Sequence, residues 1–349
     1  MVIDIKKLKI PTLIVIDLLS ISLGFGLFCL FHFVIDFSGD SAPVALPFSS
    51  SAALETVDTV SDNLIPDDIG AEPEDTVGTE AAEPVSETGT MLTAETSGNV
   101  SGMFGEKFSD KFTDGEVVQT ENTYQSENIN VTVTHKEENG VVYNLADIYI
   151  RDLKYFKTAF GGEGFKKTTE KLPILAERHN AVIAISGDHY GARSKGVVVR
   201  NGILYRNTKF EDIGILTNDG ELITMPASQY DPKSLAETGA WQVWCFGPEL
   251  LDNGNIKTKF NSNVVRANPR TAIGCVEPGH YYFVEIDGRI KDSKGVTMGQ
   301  LSKLFYDLGC TSAYNLDGGQ TSGFYWNGSL VSYPYGRPVW DMVYIGEDE

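Results

Sequence analysis

Twice along the chain the same order of apolar and polar positions recurs. Residues 168–180, TTEKLPILAERHN, set Leu172, Leu175 and Ala176 on one helical face. Pro173 is tolerated only in a first turn, so the spacing predicts a helix starting near Leu172. An unbroken apolar run, AVIAIS, follows at 181–186, as expected of a short strand buried on both faces. The polar, glycine-punctuated stretch GDHYGARSKG comes next. From Thr297, the segment TMGQLSKLFYDLG groups Leu301, Leu304, Phe305 and Leu308 on one side. It opens on a good N-cap residue and closes on Gly309, suited to the left-handed position beyond a last turn. A second short run, CTSAYNL, leads into DGGQTS. Each half therefore predicts a helix, a buried strand and an aspartate, Asp188 or Asp317, carried to the strand's end.

Elsewhere the pattern is that of strands joined by tight turns. Hairpins are expected at Asn201-Gly202, Pro278-Gly279 and Asn327-Gly328, where the turn residues sit between apolar runs. Asp317-Gly318 taken alone reads as another hairpin turn, because type I′ turns need positive φ. Its position after a second helix–strand pair argues instead for a functional loop on a rigid element. The expected fold class is α+β: a mixed, largely hairpin-connected β-sheet core with two or more packed helices. Residues 112–155, including INVTVTH, are expected to add strands to the same domain.

The N-terminal part follows another logic. Residues 10–35 form an apolar run, interrupted by Asp17 and His32, long enough to span a hydrocarbon core of roughly 30 Å. Lys6, Lys7 and Lys9 precede it, and no basic residue follows until Lys107. The run exceeds the length of a cleavable leader's apolar region. It is therefore read as one N-terminal transmembrane helix, with residues 1–9 cytoplasmic and the remainder outside. Residues 36–110 hold about fifteen acidic residues and a single basic one, Lys107, among Ser, Thr, Ala, Pro and Gly. Such a stretch buries too little apolar surface to order itself, and an extended acidic stalk is expected. It carries most of the net charge of −20, so residues 111–349 form an ordinary soluble domain in charge. Nothing resembles a basic nucleic-acid patch.

Cys245, Cys275 and Cys310 show no CxxC spacing, which argues against structural zinc. One disulfide with one leftover thiol, or three buried free thiols, are both compatible with the spacing. The nucleophile-elbow, zinc-protease and P-loop signatures are absent.

In order, AVIAISGDHYG, GVVVRNGILYR, PRTAIG, VEIDGRI, GVTMGQLSKLFYDLGCTSAYNLDGGQTSGF and GRPVWDMVYIG resemble the phosphodiester glycosidase domain family over about residues 170–346. The resemblance implies hydrolysis of a bond between a sugar's anomeric carbon and a phosphodiester. It also implies a site built from Gly187 and Asp188, Arg270 and Thr271, Asp287, Gly288 and Arg289, and Asn315 through Asp317, Gly318 and Gly319. Ser186 replaces the family's usual Asn, and Gln320 replaces a frequent third Gly. Both departures bear on substrate identity more than on chemistry.

Such a reaction needs a cradle for the phosphate charge and a carboxylate to activate water or stabilise an oxocarbenium-like transition state. Arg270 and Arg289 are candidate phosphate clamps, with Gly318 and Gly319 amides as added donors. Asp317 is the expected essential carboxylate, with Asp188 or His189 as partner, and Thr321 and Ser322 would orient sugar hydroxyls. The plainer readings are solvated arginines, a structural His189, and a mere turn at Asp287-Gly288. No cofactor is required. The acidic loops allow a divalent cation such as Ca²⁺, but no EF-hand loop assigns one. The expected partners are a phosphodiester-linked carbohydrate and, through the N-terminal helix, a cell membrane; no nucleic acid is expected. Competing readings are a non-catalytic module for anionic glycans and a phosphodiesterase that splits P–O.

Overall fold

A computed structural model describes residues 90–91, 102–233, 235 and 239–348. The anchor expected at 10–35 and its flank lie outside these residues, as does most of the acidic segment 36–110. Among the described residues no helix is long and apolar enough to cross a membrane.

Three sheets make up the described body, and every ladder among the described strands is antiparallel. The nine-stranded sheet has Ser312–Leu316, Arg270–Glu277, His280–Ile286, Val141–Ile150 and Ile129–Glu138 as successive neighbours. Residues 112–155 thus add long strands to the same sheet as the DGG loop. The five-stranded sheet orders Ser329–Leu330, Phe324–Trp326, Ile183–Ser186, Asp341–Ile345 and Phe156–Phe160. A six-stranded sheet contains Val197–Arg200, Ile203–Asn207 and Ala240–Trp244.

Alternation along the short strands explains why they read as unbroken apolar runs. Ile183 and Ile185 point into the main core with Phe156, Phe283, Tyr314, Leu316 and Val343. Ala184 points the other way, against Leu172, Leu175 and Ala176 of helix α1, Leu172–Arg178. The strand is sandwiched, so no position faces water. Helix α2, Met298–Asp307, lies on the nine-stranded sheet. A Cβ at Gly274 would come 2.4 Å from the Phe305 ring, so glycine lets helix and strand approach there. Thr297 and Gln300 form a reciprocal capping box at its start.

The expected turns at 201–202, 278–279 and 327–328 are present. Asn201, Gly202, Gly279, Asn327 and Gly328 all have positive φ. Asp317-Gly318 is different: the strands before and after it, Ser312–Leu316 and Phe324–Trp326, belong to two different sheets. The hairpin reading fails there, and the loop is a crossing between layers. The folded body also starts earlier than residue 111. Phe104 and Phe108 are buried in the main core, with Phe104 against Gly220 and both rings against Gly279. Residues 102–110 therefore leave the expected stalk, because two aromatics supply the apolar surface that the rest of that segment lacks. Cys245, Cys275 and Cys310 are buried free thiols.

Candidate active site

The site forms where the ends of Ile183–Ser186 and Ser312–Leu316 meet the start of Arg270–Glu277. Pairing of Thr271 with Leu316 and of Arg270 with Ile286 puts residues 317, 270 and 287 together at one end of three adjacent strands of the nine-stranded sheet. Hydrogen bonds across the layers then bring in the other loop. Asp317 N–H donates to Gly187 O at 2.8 Å. Ser186 Oγ donates to Asp317 O at 2.9 Å and lies 2.9 Å from Thr271 Oγ1. Ser186, a departure from the family pattern, is thus the tie between the two aspartate loops. Gly187 must lack a side chain, since a Cβ would lie 2.2 Å from Asp341 Oδ1.

The two aspartates have different fates. Asp317 Oδ2 lies 3.2 Å from His189 Nδ1, with 6% of the His and 13% of the Asp side chain exposed. Asp188 faces inward. Its Oδ2 accepts the Cys245 N–H at 2.8 Å and stands 3.6 Å from Arg200 Nη2. Arg200 Nε donates to Asp341 Oδ2 at 2.7 Å, and Asp341 Oδ1 accepts the Asp188 N–H at 2.6 Å. Asp188, Arg200 and Asp341 are all at most 2% exposed. Burial pushes the Asp341 carboxyl up to about 6, opposed by the attraction of Arg200. Asp188 thus joins a buried ion triad that locks the loop, leaving His189 as the neighbour that touches Asp317.

The expected phosphate clamps also divide. Arg270 is 4% exposed. Its Nε donates to Val296 O at 3.2 Å, and its Nη2 donates to Val264 O at 2.8 Å and Arg266 O at 2.5 Å. It is a pillar for those loops, and only Nη1 has no acceptor among the described residues. Arg289 is exposed, with φ +57°. Its Nε and Nη2 donate to Asn268 Oδ1 at 2.9 and 2.5 Å. That aims Nη1 at the DGG turn, 3.7 Å from where a Gly319 Cβ would stand. Burial, and then the charge of Arg289, draw the Arg270 guanidinium down to about 10. No carboxylate pairs with either arginine among the described residues. The two neighbouring guanidinium groups thus leave their positive charge without a carboxylate counter-charge among the described residues.

Asp287 and the glycines differ from expectation. Asp287 is 4% exposed, and its Oδ1 and Oδ2 accept the Tyr333 N–H at 2.9 and 3.2 Å. Fully buried Glu285 lies beside it, and burial followed by the Asp287 charge raises the Glu285 carboxyl well above the usual range. Glu285 Oε2 accepts the Asn144 Nδ2–H at 2.9 Å, and Asp287, through Tyr333, holds the 333–337 loop on the sheet. Gly288 N–H donates to Tyr335 Oη at 2.6 Å, and Tyr335 Oη–H donates back to Gly288 O at 2.7 Å. The Gly319 N–H is taken by Pro269 O at 3.1 Å, so it is no free donor. Asn315 Nδ2 donates to Gly247 O at 2.8 Å, and Thr321 Oγ1 to Gly318 O at 2.6 Å. Ser322 Oγ is buried, close to Gly318, with no hydrogen-bond partner among the described residues.

Asn268, Arg200, Asp341, Glu285, Tyr333 and Tyr335 were not singled out by the sequence patterns. The motif GRPVWD did hold a signal for Asp341, but no spacing could pair residue 341 with 188. Among the described residues no group of three or more His, Cys, Asp and Glu is arranged to hold a metal.

The arrangement therefore places a carboxylate–imidazole pair beside two guanidinium groups without a carboxylate partner, on a glycine-rich crossing between sheets. Residues 179–346 match the family model described as phosphodiester glycosidase. Among individual relatives, the chain is 29% identical over 171 residues to the SPbeta prophage-derived uncharacterized protein YomE of Bacillus subtilis (strain 168), covering 44% of this chain and 26% of that protein. It is 32% identical over 75 residues to the N-acetylglucosamine-1-phosphodiester alpha-N-acetylglucosaminidase of Bos taurus, covering 22% of this chain and 14% of that protein. The chain thus spans about a quarter and a seventh of these two relatives' lengths. The catalytic domain of the zebrafish N-acetylglucosamine-1-phosphodiester alpha-N-acetylglucosaminidase, solved auto-inhibited by its pro-peptide, superposes with a TM-score of 0.53 at 19% identity. That match covers 68% of this chain and 86% of that one, and shows the shared fold.

Proposed function

We propose that this protein hydrolyses the bond between a sugar's anomeric carbon and a phosphodiester, in a glycan outside the cytoplasm. The observation that carries the reading is the meeting at one loop of the Asp317–His189 pair with the uncompensated Arg270–Arg289 pair. In this reading the phosphodiester oxygens lie against Arg289 and Arg270 Nη1. The arginines stabilise the departing phosphate, which is a weak base and needs little protonation. Asp317, steadied by His189, faces the anomeric centre and either stabilises its growing positive charge or takes the proton of the attacking water. Water's hydroxyl ends on the sugar carbon and the phosphate monoester leaves with the C–O electron pair. The lysine-flanked apolar run at 10–35 and the acidic stretch after it support a membrane-anchored enzyme working across an envelope layer.

The test is release of free sugar from a UDP-sugar or a glycosyl phosphodiester by the wild-type chain and by Asp317→Ala. Equal turnover would remove Asp317 from the mechanism. In ¹⁸O water, label in the sugar supports C–O cleavage, and label in the phosphate would replace this reading with P–O cleavage.

A further inference from the structure

Beside the site runs a cleft of about 250 Å³ that the mechanism leaves unused. It begins at Thr321 and Ser322, directly after the DGG turn, and passes Tyr335, whose hydroxyl holds Gly288. Leu172 and Leu330 contribute an apolar floor, and Lys171 and Arg337 stand on its walls. Both cations are exposed. Neither side chain has a hydrogen-bond or ion-pair partner among the described residues, and no carboxylate lines the cleft. The Tyr333 and Tyr335 rings meet edge to face at 4.9 Å, and Tyr333 is 46% exposed.

These features have an ordered chemistry. Two exposed cations on one cleft, with no carboxylate among its lining residues, mark a place for an external anion. Apolar floor and aromatic edges suit the C–H faces of a sugar ring. The cleft adjoins the Asp317 turn, so a chain seated in the site continues into it. We propose that this cleft is a second subsite, holding the neighbouring sugar of the substrate and that sugar's own phosphodiester between Lys171 and Arg337. The substrate class is then a glycan with repeating phosphodiester links, rather than an isolated glycosyl phosphodiester. This rests on the hydrolase reading above for the chemistry, but not for the binding.

The experiment compares two synthetic compounds, one with a single glycosyl phosphodiester and one with two in succession, on the full-length chain. The wild type is expected to favour the longer compound about tenfold in kcat/KM, with the preference shrinking as salt rises. Lys171→Gln/Arg337→Gln is expected to lose that preference while turning over the shorter compound at the wild-type rate. Equal kcat/KM for both compounds with the wild type, or an undiminished preference in the double variant, would overturn the subsite. Calorimetric titration of both compounds separates the two proposals. Tighter binding of the longer compound without turnover of either would sustain the subsite and sink the hydrolase reading. Equal binding would sink the subsite.

Discussion

Arginines carry much of the argument at the scale of single residues. Arg200 and Arg270 spend their guanidinium groups inside the protein, whereas Arg289 is clamped by Asn268 and keeps one nitrogen directed outward. Removing a charge-stabilising group from a reacting centre costs about 10²–10³-fold in turnover, and that loss is expected for Arg289→Ala with folding retained. A kcat within a few-fold of wild type would dismiss Arg289 as a clamp. Gly187→Ala tests packing instead. Its new Cβ must displace the Asp341 carboxylate from 2.2 Å, and overpacking of this kind costs about 1–3 kcal/mol. The loss would be read as a lower urea midpoint with unchanged slope. Much of this was legible as residue type but not as direction. The sequence marks Asp188 and Asp317 alike, as aspartates at strand ends. Only the fold turns one inward to Arg200 and Cys245 and sets the other against His189, because Cys245, Asp341 and the 189–317 pairing lie far along the chain.

Elements were the most readable level. Helix α2 announces itself by Thr297 at its start and Gly309 beyond its end, and Gln300 completes the cap through its side chain. Deleting an N-cap hydroxyl costs about 1 kcal/mol, so Thr297→Ala should lower unfolding free energy by that amount without touching the site. An effect near zero would mean that tertiary packing alone holds the helix. The hairpin turns were readable for the same reason: positive φ at Asn201-Gly202 and Asn327-Gly328 is a local demand that the residues themselves meet. Asp317-Gly318 shows where local signals stop. The same dipeptide that closes a hairpin elsewhere here carries the chain from one sheet to another. That choice is made by the pairing partners of Phe324–Trp326, not by the turn.

Over the molecule as a whole, buried charge sets a pH dependence. Asp341 titrates higher in the folded protein, about 6, than an unfolded Asp does, so the native state binds the extra proton. This group's contribution to stability is therefore fully present at acid pH and is lost as pH rises through the interval from about 4 to about 6. Asp341→Asn should remove that component. Unfolding free energies measured across this window should differ in slope between the two proteins by the equivalent of about one proton. Parallel curves would mean that Asp341 does not titrate there. Fully buried Glu285, also raised, contributes in the same direction and is common to both proteins.

The strand Asp341–Ile345 is an interior member of its sheet, hydrogen-bonded to Ile183–Ser186 on one side and to Phe156–Phe160 on the other. A nascent chain emerging from the ribosome has therefore made residues 156–186, with their edges exposed, long before the piece that fits between them exists. Arg200 and Asp188 likewise wait for residue 341. At about 5–20 residues per second the gap lasts roughly ten to thirty seconds, during which unpaired strands are open to wrong neighbours. Maturation of this protein should accordingly depend on something that shields those edges during synthesis, and a ribosome stalled at residue 340 should present a protease-sensitive domain.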